Sequence, residues 1–286
     1  MKKLIITADD YGMSKAVNRA IDAGIEAGVI TSTNIMTNMD FYEDAIKLKS
    51  TKASVVLHWT LSCGKPVLDA KAVKTLVTKE GCFYKYPEFR KRYRKGLISD
   101  EEIEKELVAQ YNRYVKLMGE PDYWNTHQNV HVDFKIYALF VAVAKKLNIS
   151  KMRSHQRIYV PAMNSDSKLS LMWKIMEPIK VLLLNAWQKN AHKKGISSPD
   201  GLIVCLNKSD AMSPDYTFSN VMWKKNEIGE FVIHPATECD SPYFGNIGEQ
   251  RILEYKLFTD KKTLASVSNA KIELVNYDIV DIGRRK

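Results

Sequence analysis

Along the chain, short runs of branched apolar residues alternate with longer stretches in which apolar positions recur every three or four residues. The first pattern predicts buried strands and the second predicts amphipathic helices. Residues 3–10 form the first apolar run, which ends in Asp9 and Asp10 just before the turn-permitting Gly12. Ser14 then stands at an N-cap position, and Ala16, Val17, Ala20, Ile21 and Gly24 follow at helical spacing until Gly28, beyond which residues 29–36 predict a second strand. A short helix is expected over 44–50 and a third strand over 54–58. The most regular helix begins at Ser99, whose spacing to Glu102 fits a capping box, and its stripe of Ile103, Leu107, Gln110, Tyr111 and Tyr114 runs on to Gly119 and Pro121. Strands over 123–126, 151–153, 202–206, 230–234 and 272–276, with helices over 135–147 and 250–258, complete the pattern. Repeated alternation of strand and helix predicts a parallel α/β fold.

Two stretches have no sustained period. Residues 61–87, with Gly64, Pro66, Gly81 and several aromatics, predict an excursion over one face of the fold. Residues 156–198 are helical and polar by turns, broken by Pro161 and Pro178, and predict a lid or dimerisation insert. Neither a repeat nor a low-complexity linker divides the chain, so residues 1–286 are expected to form a single domain.

Composition narrows the function more than the fold. Hydrophobic residues at 45% and charged residues at 27% describe an ordinary globular chain. An excess of 43 Lys and Arg over 33 Asp and Glu gives a net charge of +10. The basic residues are nevertheless dispersed, the densest groups being Arg90 to Lys95, His192 to Lys194 and Arg284 to Lys286, and such runs mark solvated faces, so no nucleic-acid partner is expected. Cys63, Cys82, Cys205 and Cys239 form no CxxC pair, which signals neither a zinc ribbon nor a disulfide framework but reduced thiols in the cytoplasm. No apolar run approaches the ~20 residues of a membrane span, and no leader-like segment is evident, so no membrane partner is expected.

The chemistry lies at the strand ends. Asp9 and Asp10 close the first strand, and His58, His127 and His234 close the runs over 54–57, 122–126 and 230–233. In a barrel or a doubly wound sheet these carboxyl ends converge on one face. Imidazole nitrogen and carboxylate oxygen together bind borderline divalent metals, and a catalytic site of this kind leaves a coordination position open, which points to a mononuclear metal hydrolase. Taken singly, an Asp-Asp pair reads as well as a loop feature, and His58 reads as a core histidine; the repetition is what carries weight. His127, Asn129 and His131 would share one face of an extended segment. His155 and His192 receive no role. A metal phosphoesterase suits the basic surface, and a carbohydrate-binding protein with a decayed site is the non-enzymatic alternative; a glycosidase would need two placed carboxylates and leave the histidines unexplained.

The segments Thr7 to Gly12, Gly28 to Thr33, Val56 to His58 with Gly64 to Pro66, Thr126 to His131 and Val232 to Pro235, with Arg251 and Glu254 further on, resemble in order the YdjC-like carbohydrate deacetylases, which include chitooligosaccharide deacetylases. The resemblance runs over nearly the whole chain and implies a distorted TIM-like (β/α) barrel related to polysaccharide deacetylases. It implies hydrolysis of the acetyl group of an N-acetylated mono- or oligosaccharide, aided by one divalent ion, Mg2+ or Zn2+, in a homodimer. Position by position it implies that Asp10, His58 and His127 hold the metal, that Asp9 is the general base and that His234 is the general acid, while His131 lies outside the ligand set. Substrate contacts are not fixed by it; Tyr11, Trp59 and Arg153 are candidates, and Phe83 and Tyr84 are further aromatics able to stack on a sugar. The chain departs from the family's run at Asn125 and Asn129, and loss of an orienting carboxylate at 125 is expected to lower metal affinity or activity ~10–100-fold.

Overall fold

The computed structural model describes residues 2–121, 123–133, 135–163, 171–224 and 227–280. β1 (Lys2–Tyr11) leads through α1 (Lys15–Glu26) to β2 (Ser32–Ile35), and a 3-10 helix at Tyr42–Ser50 leads to β3 (Ser54–Trp59). Then come α2 (Tyr86–Arg94), α3 (Asp100–Met118), β4 (Tyr123–Thr126), α4 (Tyr137–Lys146), β5 (Lys151–Met152) and β6 (Arg157–Val160). The remainder is α5 (Leu171–Lys193), β7 (Gly201–Cys205), α6 (Pro214–Ser219), β8 (Ile228–Ile233), α7 (Gly248–Phe258), α8 (Lys261–Asn269) and β9 (Ile272–Leu274).

Among the described residues every strand pairing is parallel, in the order β5-β4-β3-β2-β1-β8-β7-β6. β9 lies beside β1 at Lys2 to Leu4, on the edge that β2 occupies from Thr7 onward. The two ends of the order do not pair with each other; instead Ser197 N–H donates to Ser150 O at 2.7 Å and Met152 N–H donates to Ser197 O at 2.9 Å, so a loop bridges the gap next to β5. The result is a distorted α/β barrel, as the resemblance implies.

Strand alternation sorts the side chains into two layers. Leu4, Ile6 and Ala8 pack outward in the main core with Ala16, Val17 and Ile21 of α1. Ile5 points the other way, into a small cluster with Val56, Tyr123, Ile228 and Tyr277 that floors the barrel. Above that floor the inner face becomes polar, with Thr7, Asp9, Asn34, His58, Asn125 and Glu230 all buried.

Caps and clamps follow from the sequence with one change. Ser14 Oγ accepts from Val17 N–H at 3.2 Å, and Ser99 Oγ accepts from Glu102 N–H at 3.4 Å. Glu102 does not complete the capping box. Its carboxylate instead accepts from Thr75 N–H and Thr75 Oγ1, both at 2.7 Å. One turn on, Glu106 accepts from Val67 N–H at 2.8 Å and Leu68 N–H at 3.1 Å, and Gln110 bonds Thr60 N–H and O at 2.9 and 2.7 Å. α3 therefore holds the 61–87 excursion by its otherwise unpaired backbone groups.

Other expectations change more. β6, α2, α6 and α8 were not predicted, and the insert over 156–198 holds β6 and α5, with residues 164–170 outside the described part. Asp122 and the basic run 284–286 also lie outside it. The basic run at 90–95 is not merely solvated: Arg90 Nε and Arg94 Nη2 donate to Asp133 Oδ2 at 3.0 and 2.6 Å, and Arg92 stacks 4.4 Å from the Tyr84 ring centroid. No helix among the described residues is long and apolar enough to cross a membrane.

Candidate metal and catalytic site

A regular strand would send Asp9 and Asp10 to opposite faces. Along β1, however, Ala8 is level with Thr33 and Tyr11 with Ile35, so three steps on β1 oppose two on β2. The extra residue is a bulge, and Asp10 adopts φ 76°, a left-handed value that Asp tolerates better than most side chains. Both carboxylates thereby face the barrel mouth. Asn34 pins the bulge, its Oδ1 accepting from Asp10 N–H at 3.2 Å and its Nδ2 donating to Asp9 Oδ1 at 2.6 Å.

Asp10 meets two of the predicted histidines. Its Oδ1 lies 2.9 Å from His127 Nδ1 and 3.3 Å from His58 Nε2, and ligand atoms of these three buried residues all lie within 4.8 Å of one another. His58 Nδ1 is hydrogen-bonded to Asn125 Oδ1. An accepting amide oxygen keeps the proton on Nδ1 and leaves the Nε2 lone pair free; Nε2 is buried and, though 3.3 Å from Asp10 Oδ1, has no hydrogen-bond partner among the described residues. Asn125 thus performs the orienting task for which a carboxylate was expected, without its charge. A pair of imidazole nitrogens, one of them unpartnered, beside a carboxylate oxygen fits a divalent ion.

Asp9 faces a different set. Arg153 grips it with both Nη atoms, at 2.8 and 2.7 Å, and the same guanidinium reaches Glu230 Oε1 at 3.1 Å. Burial opposes ionisation of both aspartates, yet Arg153 holds Asp9 well below the usual carboxylate range, and His127 with Arg251 does the same for Asp10. For His127 burial works against the proton, but the Asp10 carboxylate outweighs it and raises the imidazole to about 9. His234, at the end of β8, puts Nε2 3.8 Å from Asp9 Oδ2, and its side chain is 34% exposed, which leaves it open to a ligand.

The structure therefore brings together Asp9, Asp10, His58, His127 and His234, as their strand-end positions predict. It corrects the substrate-contact candidates. Trp59 follows inward-facing His58, so it points outward, is fully buried, and donates Nε1–H to Leu107 O at 2.9 Å. Tyr11 is fully buried, its hydroxyl donating to Asp22 Oδ1 at 3.1 Å. Arg153, only 2% exposed, is spent on Asp9 and Glu230. Phe83 is buried as core, and Tyr84 carries Arg92 on its ring.

The shared face expected for His127, Asn129 and His131 does not form, because the chain turns through positive φ at Gln128 (55°) and Asn129 (51°) and exposes both. His131 turns away to pair its Nε2 with His155 Nε2 at 3.2 Å, while Thr126 Oγ1 bonds its Nδ1 at 2.6 Å. Burial lowers both imidazoles, His155 to about 3, so the pair is neutral. Asn34, Glu230 and the role of Arg153 escape sequence reasoning, since isolated polar residues inside short strands carry no periodic signal.

The chain is similar to known proteins along most of its length. A family model described as YdjC-like protein matches residues 3–269. A Clostridium beijerinckii protein named carbohydrate deacetylase is 36% identical over 149 residues, covering 51% of this chain and 58% of that relative. A Brevibacillus brevis protein of the same name is 26% identical over 283 residues, covering 96% and 98%. The chain thus spans little more than half the length of the first relative and nearly all of the second. A crystal structure of an Enterococcus faecalis protein proposed to cleave cellobiose phosphate superposes with a TM-score of 0.72 over 97% of this chain and 98% of that one, at 22% identity, and shares the fold.

Proposed function

This chain belongs to the YdjC-like family, and from that membership we propose that it is a metal-dependent carbohydrate deacetylase, hydrolysing the N-acetyl group of an N-acetylated sugar or short chitooligosaccharide to release acetate. The observation that carries the reading is the convergence of Asp10, His58 and His127 within 4.8 Å, beside Asp9 and His234. The names of the relatives support the substrate class. One divalent ion, Mg2+ or Zn2+, held by those three residues would polarise the acetyl carbonyl and acidify a water.

The chain's own residues supply the remaining steps. Asp9 is kept ionised by Arg153 and held in place by Arg153 and Asn34, which supports it as the group that takes a proton from the attacking water. Glu230 shares the same guanidinium, which divides the charge on Arg153 and limits how far Asp9 is neutralised. An amine is a poor leaving group as an anion. His234, open to solvent beside Asp9, would hand a proton to the amide nitrogen as the C–N bond breaks.

The insert over 156–198 is read as the pairing surface of a homodimer. Ile175, Met176, Ile179, Leu182 and Leu183 on α5 are 48–71% exposed and recur on one helical face, an apolar stripe of the kind that marks an interface. Leu182→Glu should convert a dimer to a monomer in light scattering. Four unpaired thiols, Cys63, Cys82, Cys205 and Cys239, support a reducing, cytoplasmic setting.

The deciding experiment strips divalent ions, adds each metal back, and screens N-acetylated mono- and oligosaccharides for acetate release. The reloaded protein should release acetate and His58→Ala should not. Metal-loaded protein inert on every substrate would defeat the proposal.

A further inference from the structure

The two carboxylate oxygens of Asp10 have different neighbours, and this bears on the metal-hydrolase reading, on which the following inference rests. Oδ1 faces His127 Nδ1 and His58 Nε2 at 2.9 and 3.3 Å. Oδ2 is taken by Arg251 Nη2 at 2.5 Å. Arg251 comes from α7, is 2% exposed, and lies with its guanidinium 4.6 Å from the Phe244 ring centroid. Its Nη1 also reaches His234 O at 3.4 Å. One turn on, Glu254 Oε2 accepts from His234 N–H at 2.5 Å, and Gln250 Nε2 holds the other Glu254 oxygen at 2.7 Å. One face of α7 thus grips the main chain of His234 on both sides while its arginine holds Asp10.

We infer that Arg251 is a positioning residue that reserves Oδ2 and confines Asp10 to coordination through Oδ1 alone, keeping a metal coordination position open for water or substrate. Carboxylates bind metals through one oxygen or two. A two-oxygen Asp10 together with two imidazoles and a water would raise the count to five and fill the position a substrate oxygen needs, whereas a hydrolytic site with three protein ligands and a water keeps that fifth position free. For Oδ2 to turn toward the ion it would have to abandon a buried guanidinium whose only carboxylate partner among the described residues is Asp10, and whose Nε already lacks a partner. Arginine is the residue this task requires. Its fork reaches the carboxylate and His234 O together while its flat face stacks on Phe244, and a lysine ammonium offers neither the fork nor the face.

The test loads the full chain with Co2+ and records its visible ligand-field absorption, which weakens as coordination number rises. Arg251→Met should take up Co2+ but give weaker bands than the wild type, and at saturating ion its acetate release should fall ~10–100-fold. Arg251→Lys, which keeps the charge, should show the same weakening, and it decides the matter if the methionine variant does not fold. Glu254→Gln touches His234 but not Asp10, so it should keep the wild-type spectrum. A folded Arg251 variant with the wild-type spectrum overturns the inference while leaving the metal reading intact. A wild-type chain that takes up no Co2+ overturns both.

Discussion

Binding of a divalent ion to this chain should release a proton, and its affinity should climb steeply with pH. In the metal-free site His127 is raised from 6.5 to about 9 by the Asp10 carboxylate 2.9 Å from its Nδ1, so at neutral pH that nitrogen carries a proton. A metal needs the lone pair, and the proton must leave first. Between pH 6.5 and 8.5 the apparent Kd should therefore tighten by about tenfold per pH unit, ~100-fold in all, and about one proton should be released per ion bound. The proton affinity that the Asp10 carboxylate adds to His127 is what the ion has to displace. Calorimetric titration of Mn2+ into ion-stripped protein, in buffers of different ionisation enthalpy, measures both quantities. The same pair governs stability without metal. Since the folded-state value of His127 lies above its unfolded value, the stabilisation is complete below about pH 6.5 and is lost as pH rises through about 9; on the acid side it persists until pH falls through the depressed value of Asp10. A Kd flat across this range, with no proton released, would refute the reasoning.

Three further outcomes follow from the geometry. Asp9→Asn should retain the metal while kcat falls ~10²–10⁴-fold, and Asp10→Asn should lose metal affinity, with metal loss in the Asp9 variant showing the two roles reversed. Removing the Asn125 amide that orients His58, as Asn125→Ala, should weaken metal binding ~10–100-fold, whereas His131→Ala, which cuts side-chain bonds to Thr126 and His155 but none to the three candidate ligands, should weaken it far less; an ion titration compares them. Trp59→Ala should cost ~3–5 kcal/mol of stability in denaturant unfolding, because Trp59 is fully buried 5.1 Å from Trp124 and 5.9 Å from Phe140, and a small loss would mean the site collapses around the cavity.

The elements legible in the sequence were those whose apolar residues recur with a clear period. β1, α1, β3, α3 and β8 emerge within a few residues of their predicted bounds. α2 was hidden because Phe89 is its one buried residue, and β6 because it is only four residues long and opens on the charged Arg157, which reaches Glu177 of α5. Of the candidate site, the strand-end residues Asp9, Asp10, His58, His127 and His234 were legible as a group, since each lies where a predicted strand ends. Its supports were not. Asn34, Arg153 and Glu230 act across strands that lie far apart in sequence, and the bulge that makes Asp9 and Asp10 usable together is a property of strand register, which no local pattern encodes.

The place of β1 in the sheet also sets the order in which the molecule can be built. Its edges are covered by β2 on one side and by β8 on the other, with β9 beside its first residues, so residues 2–11 wait for partners at 228–233 and 272–274. During synthesis, β1 to β5 can pair among themselves while one edge of β1 stays open over most of the chain's length, the sort of exposed parallel edge that favours slow folding and association with other chains. Arg251 stands 241 residues from Asp10, so the charge that steadies this carboxylate is synthesised long after it. A nascent chain stopped before α7 would display all three candidate ligands and both acid–base residues, yet it would lack the arginine that holds Asp10 and the carboxylate that holds the main chain of His234.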